Sequence, residues 1–286
     1  MSIVAVVGAD ELGGSIAHKL AGRGRCAAVR LIDPAGGIAA GKALDIRQAG
    51  PVEGFHTRVT AHDDLDAAGG ADVVVLAGPA DGADAGGGDE AALAALRRLR
   101  LVARHAVCVC AGVGHRGLVG RAVAELGMPR RQVLGTAPAA LQSALRAIVA
   151  LELRCSAADV SLAVLGAPPD RLVVPWSAAT ARGCPLGHLL EPPRLARLRD
   201  RARLVWPPGP YALASVTARA CEAVAAGAGP RAMSCFTVLD GELGARRTVA
   251  AVTVELGPTG VTRILEPALT VQERVQLETA LLAGQD

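Results

Sequence analysis

Residues 3–7 (IVAVV) form a short apolar run that stops at Gly8-Ala9-Asp10-Glu11-Leu12-Gly13 and passes directly into a helical pattern. Few folds accept a strand that enters a glycine-framed turn and leaves as a helix. Gly8 suits the tight turn, and Gly13 lets the helix lie close against the strand. The turn then presents backbone N–H groups at a helix N-terminus, the place where a diphosphate binds. The middle glycine of the G-x-G-x-x-G pattern is Asp10 in this chain, which adds a Cβ and a negative charge beside that anion. A like charge about 4 Å away costs roughly 1 kcal/mol in water and about 4 kcal/mol at an effective dielectric of about 20. The helix N-terminus offsets part of this. Asp33 stands twenty residues past Gly13, at the end of the next apolar run. A carboxylate there accepts ribose hydroxyls and repels a 2′-phosphate, which favours NAD over NADP. A purely local reading has Asp33 closing the turn before Pro34. Ala77 and Gly78 end the apolar run 72–77 at the same sheet edge. Gly8, Asp10, Leu12, Gly13, Asp33, Ala77 and Gly78 are therefore the expected cofactor-contacting residues, with NAD binding weakened by Asp10.

The alternation continues through the first half. Strands are expected at 29–32, 72–77, 107–110 and 132–135, and a helix at 90–105, where Leu93, Leu96, Leu99 and Val102 recur at helical spacing. The segment 78–88 holds only Gly, Ala, Asp and Pro and reads as loop. Such βαβ alternation implies a parallel sheet with helices on its faces. Beyond about Pro138 the pattern changes to a helix at 139–153 and strands at 233–239, 248–255 and 261–265. The last helix is led by Thr270-Val271-Gln272-Glu273, a capping box in which Thr and Glu satisfy each other's backbone N–H groups. The expected fold class is α/β: a Rossmann-type parallel-sheet domain at 1–137, then an α+β lobe at 138–286.

Composition narrows the function classes. The chain is 51% hydrophobic but only 2% aromatic, so its core must be built from Ala, Val, Leu and Ile, as in buried parallel strands. Its 30 basic and 27 acidic residues are interspersed, which gives no nucleic-acid surface. The basic run 194–203 reads as the solvated face of a helix. Seven cysteines form no paired framework. Cys108 and Cys110 face the same way on a strand, and no second pair stands at metal-ligand spacing, so buried reduced thiols and no metal are expected. The first residues lack signal-peptide character and no apolar run reaches membrane-spanning length. A cytoplasmic protein without a membrane partner is the expectation.

Four runs carry a family resemblance. Gly41-Lys42-Ala43-Leu44-Asp45-Ile46, Pro51-Val52-Glu53-Gly54-Phe55 and Leu239-Asp240-Gly241-Glu242-Leu243-Gly244 resemble the G-K-A-L-D-L, P-V-E-G-F and L-D-G-E-Y-G runs of bacterial malate dehydrogenases, in the malate/lactate dehydrogenase family. Val164-Leu165-Gly166-Ala167-Pro168-Pro169-Asp170 resembles their V-L-G-G-H-G-D. In register, these matches cover nearly the whole chain.

The resemblance implies hydride transfer between a 2-hydroxy acid and NAD. It also implies a histidine base, an aspartate that orients it, an asparagine, and arginines for the substrate carboxylates. Against that pattern Pro168 stands at the histidine, Leu141 at the aspartate and Ala144 at one arginine. The family's N-P-x-D becomes Ala111-Gly112-Val113-Gly114. Its arginine-bearing loop becomes 79–90, which contains no Arg or Lys but has Asp81 and Asp84, with Gly88 at the second arginine. Asp170 survives. The expectation is a catalytically silent member, a pseudoenzyme acting through protein or dinucleotide binding. The alternative is an NAD-dependent oxidoreductase with a rebuilt site for a small 2-hydroxy acid. Of the six histidines, His115 falls at the C-terminal sheet edge, in the loop after the 107–110 strand, and it alone is expected near a nicotinamide. With Arg116 it is the fallback catalytic candidate, and its simpler reading is a solvated loop residue. His56 and His62 are expected at the surface. The family's habit of assembly implies a homo-oligomer, or a hetero-oligomer with a related dehydrogenase.

Overall fold

The computed structural model describes residues 2–77, 88–225 and 231–282. The first half runs β1 (Ile3–Val7), α1 (Glu11–Arg23), β2 (Ala28–Ile32), α2 (Gly36–Glu53), β3 (Arg58–His62), β4 (Val73–Leu76), α3 (Gly88–Val102), β5 (Val107–Cys110), α4 (Arg116–Ala124) and β6 (Val133–Gly135). Then come α5 (Ala137–Leu153), β7 (Val160–Ser161), β8 (Leu165–Ala167), β9 (Arg171–Val173), β10 (Thr180–Ala181), β11 (Cys184–Pro185), α6 (Leu186–Leu189) and α7 (Pro192–Arg203). The chain continues through α8 (Pro210–Ala225), β12 (Arg231–Asp240), β13 (Arg246–Gly257), β14 (Gly260–Leu265) and α9 (Val271–Leu282).

Six strands pair in parallel in the order β3-β2-β1-β4-β5-β6. That is the doubly wound dinucleotide-fold order, with its crevice where the order reverses between β1 and β4. The sheet does not stop there. β12 pairs antiparallel with β6, at Phe236↔Gly135, and carries β13, β8 and β9 beyond it. The expected Rossmann-type sheet and the lobe of helices and mainly antiparallel strands after it are both present.

Strand period sorts the core onto two faces. Val4, Val6, Val73, Val75, Val107 and Val109 point to one face, with α1, α5 and α8. Ala5, Val74, Leu76, Cys108 and Cys110 point to the other, with α3 and α4. Cys108 and Cys110 thus share a face as expected, and burial pushes the Cys108 thiol up to about 12. The expectation of buried thiols fails at Cys184, which is exposed on β11, and at the half-buried Cys155. Both lie in short irregular segments that the apolar pattern does not govern. Among the described residues no helix is long and apolar enough to cross a membrane.

Two contacts fix helices α1, α8 and α9. Arg23, ending α1, forms a two-pronged ion pair with Glu222, a buried carboxylate of α8. At α9 the capping box forms. The Thr270 backbone N–H donates to Glu273 Oε2 at 3.0 Å, and the Glu273 N–H donates back to Thr270 Oγ1 at 3.3 Å. Glu273 also accepts from the Ser177 hydroxyl at 2.5 Å and the Ser177 N–H at 3.0 Å. Burial opposes its ionisation, but the hydrogen bonds from Ser177 and Thr270 together outweigh burial and hold the carboxyl below its usual range.

A pH-dependent prediction follows from that sign. A carboxyl depressed in the folded state stabilises the fold above its unfolded pKa, and loses that contribution as pH falls through the folded value. Glu273→Ala should cost about 1 kcal/mol at neutral pH, and the gap from wild type should narrow towards about pH 3. Urea unfolding at both pH values measures it. A gap that stays constant or widens in acid contradicts the assignment.

Candidate functional site

The glycine turn is built by contact. Gly8 has φ +95°, and a Cβ there would lie 2.8 Å from the carbonyl oxygen of Ala77. A Cβ on Gly13 would lie 1.9 Å from the Gly8 carbonyl oxygen. No side chain fits at Gly13, so the first turn of α1 presses directly on the end of β1. Ala77, half-buried just past β4, forms the other wall. Gly78 lies outside the described residues, as do Asp81 and Asp84.

Asp10 is the N-cap of α1, and its Oδ1 accepts from the Gly13 N–H at 2.8 Å. Its carboxylate therefore already satisfies one of the helix's orphan donors. Lys42 reaches over from α2 and donates from Nζ to the Asp10 carbonyl oxygen at 3.0 Å. Sequence reasoning did not single out this ammonium; the only signal was its place in the Gly41–Ile46 run. Asp33 takes up its local reading, closing the turn after β2. Its Oδ2 accepts from the Ala9 N–H at 2.7 Å, and its Oδ1 accepts from the Ala35 N–H at 2.8 Å. The carboxylate is thus locked at the end of β2 beside the glycine turn, and each oxygen keeps further acceptor capacity. The Leu12 side chain is fully buried in the core. Only its backbone can face a ligand; the amphipathic stripe of α1 decides where the side chain goes.

A second cluster gathers at the ends of β5 and β8. His115 is only 7% exposed, which corrects the expectation of a solvated loop residue. The physical reason is Gly112. Its N–H donates to His115 Nδ1 at 3.1 Å, and a Cβ on Gly112 would meet Nε2 at 2.7 Å. The glycine lets the imidazole fold back over its own loop. A neutral imidazole has one acceptor nitrogen, and here Gly112 uses it.

Arg116 opens α4, and its Nε donates to the carbonyl oxygen of Val249 at 3.1 Å. The β8–β13 register pairs Ala251 with Gly166, which lies two residues before Pro168. β9 folds back with Arg171 opposite Ala167. Burial, followed by the nearby Arg171, lowers the Arg116 pKa from its ordinary value. The fold therefore brings Arg116 near Arg171, at the β8–β9 hairpin whose turn contains Pro168. Arg171 was missed by sequence reasoning, although a base directly after the Pro168-Pro169-Asp170 run was its signal. Leu141 is buried in α5 and Ala144 is half-buried one turn on.

The remaining histidines lie elsewhere. His18 meets Glu53 at 2.9 Å, His62 is half-buried against the Thr60 hydroxyl at 3.0 Å, and His56, His105 and His188 are exposed. His62 thus departs from its expected surface position, because it ends a strand and leans on its neighbour two residues back. Among the described residues no cluster of three or more His, Cys, Asp or Glu could hold a metal ion.

No protein-family model matches the chain. It is 30% identical over 289 residues to the malate dehydrogenase of Thermomicrobium roseum, covering 96% of this chain and 93% of that protein. It is likewise 30% identical to the malate dehydrogenase of Desulforudis audaxviator, covering 98% of this chain and 95% of that one. Among solved structures, the malate dehydrogenase of Salinibacter ruber superposes with a TM-score of 0.90 at 26% identity, covering 99% of this chain and 95% of the other. A Cryptosporidium parvum lactate dehydrogenase, crystallised with lactic acid and nicotinamide adenine dinucleotide, superposes with a TM-score of 0.92 at 24% identity, covering 99% and 96%.

The seat of His115 predicts a steric effect. Gly112→Ala should displace the imidazole and destabilise the fold by about 1–3 kcal/mol, measured by chemical denaturation. His115→Ala in the Gly112→Ala background should recover part of that loss. No loss in the single variant, or no recovery in the double, contradicts the packing described.

Proposed function

The chain belongs to the malate dehydrogenase family, and from that premise we propose that it is a dinucleotide-binding member that does not oxidise malate. The observation that carries this reading is the joint state of Pro168 and His115. Proline offers no group to take a hydroxyl proton. The histidine at the neighbouring loop has its acceptor nitrogen engaged by Gly112. A positioned base is worth roughly 10²–10⁴-fold in rate. Leu141 and Ala144 supply neither a carboxylate nor a bidentate guanidinium to orient a substrate.

The dinucleotide half supports binding. The Gly8–Gly13 contact preserves the close turn, and Asp33 is fixed at the end of β2 with acceptor capacity to spare. NAD, when bound, supplies the hydride-carrying ring. Gly8, Gly13, the Leu12 backbone and Asp33 would hold its diphosphate and ribose. Asp10 opposes the diphosphate by charge and by occupying the Gly13 N–H, while Lys42 offsets it. We take 1–137 as the dinucleotide-binding unit and 138–286 as the second lobe. The exposed apolar side chains Ile38, Leu44 and Val52 along α2 support self-association or pairing with a related dehydrogenase.

One observation favours a second reading. Arg116 and Arg171 lie close enough to interact at the β8–β9 hairpin whose turn contains Pro168, and two guanidiniums there suit a carboxylate. On this reading the chain is an oxidoreductase with a rebuilt site for a small 2-hydroxy acid, and Arg116 positions the substrate.

Calorimetric titration with NADH tests the binding half. Saturable binding is expected, and Asp10→Gly should tighten it by about 5–10-fold, the effect of removing roughly 1 kcal/mol of like-charge repulsion. No binding by either protein overturns the reading. Pro168→His alone should give no malate oxidation, because catalytic groups of this kind act as a unit and Leu141 and Ala144 remain. Turnover by that single variant, or turnover by wild type that His115→Ala or Arg116→Ala abolishes, favours the rebuilt enzyme.

A further inference from the structure

A cavity of about 510 Å³ lies between β9, α6, α7 and α9. None of the residues placed in the dinucleotide cleft lines it. Its size falls in the range of small-molecule sites. One wall is apolar, made by Leu172, Val174, Leu195 and Trp176. Trp176 is one of only two tryptophans in the chain, and it is half-buried here.

The cationic lining comes from α7. Arg199 and Arg203 are four residues apart on α7, so both project from one helix face. Like charges at that spacing repel by a few tenths of a kcal/mol. Among the described residues neither guanidinium has a hydrogen-bond or ion-pair partner. Arg194, one turn or more earlier on the same helix, does pair, with Glu152 at 2.8 Å. His188, Gln272 and Gln276 add polar groups at the rim. Glu273 is the single carboxylate in the lining, and its oxygens are taken by Ser177 and Thr270. It therefore lessens the positive charge of the cavity without neutralising either arginine by contact.

We propose that this cavity binds a small organic anion: a phosphate or carboxylate head held by Arg199 and Arg203, and a planar or aliphatic body lying against Trp176. Guanidinium forks match such heads bidentately, and a tryptophan face beside an apolar wall accepts the body. The site stands apart from the dinucleotide cleft and does not rest on the reading of that cleft.

Titration calorimetry of the full chain with phenyl phosphate, inorganic phosphate and benzyl alcohol tests this. Phenyl phosphate should bind saturably, at least about tenfold more tightly than inorganic phosphate, and benzyl alcohol should give no measurable binding. The double variant Arg199→Ala/Arg203→Ala should weaken phenyl phosphate by at least about tenfold. Both arginines are exposed, and an unchanged melting transition verifies that the variant folds. In a Trp206→Phe background, Trp176 is the sole tryptophan, and its emission should change with the same saturation curve. Absent binding, equal affinity for phenyl and inorganic phosphate, an unaffected double variant, or a silent Trp176 each overturns the proposal.

Discussion

The first turn of α1 touches the end of β1 with no side chain between them, and the cleft is built outward from that contact. A Cβ on Gly13 would stand 1.9 Å from the Gly8 carbonyl oxygen, a distance that only a change of backbone path relieves. The contact sets the angle at which α1 leaves the sheet. Leu12, Ile16 and Leu20 then face the core, and Arg23 at the far end of α1 reaches the buried Glu222 of α8. Through that pair the nucleotide-side helix is tied to a helix of the second half. Separating them strands a carboxylate away from water, which is far costlier than losing a surface ion pair.

Groups around the cleft satisfy one another. Asp10 takes the Gly13 N–H, Lys42 takes the Asp10 carbonyl, Asp33 takes two backbone N–H groups, and His115 takes the Gly112 N–H. Each bond stabilises the free protein and must be kept or replaced when a ligand arrives. Asp33 has lone pairs to spare, so it can still accept a hydrogen bond from a ligand. The Nδ1 of His115 has none, so that nitrogen is a structural acceptor. The same kind of bond thus leaves one half of the cleft open to a ligand and closes an acceptor in the other.

What was legible in the sequence followed from strong, local signals. The apolar run at 3–7 gave a strand, the run at 107–110 gave a strand with its two cysteines on one face, and Thr270–Glu273 gave a helix start down to its two hydrogen bonds. The short strands β7, β10 and β11 span two residues each, too few to show a period, and they were not foreseen. The seat of His115 was hidden for another reason. A histidine between glycines looks exposed in one dimension, whereas the absent Gly112 side chain is the space the imidazole fills. The approach of Arg171 to Arg116 depends on the β8–β9 hairpin and on β13 delivering Val249, contacts between segments far apart in the chain. At Leu12 the turn pattern marks the backbone and says nothing about the side chain, which helical periodicity sends to the core.

The central claim is a cleft that holds a dinucleotide while lacking a group to move the hydroxyl proton. The most direct measurement uses the protein in stoichiometric amount with NADH and saturating oxaloacetate, following nicotinamide absorbance and malate formation. The account predicts bound NADH that persists, with no malate above the protein-free rate. Consumption of NADH matched one-to-one by malate would contradict it.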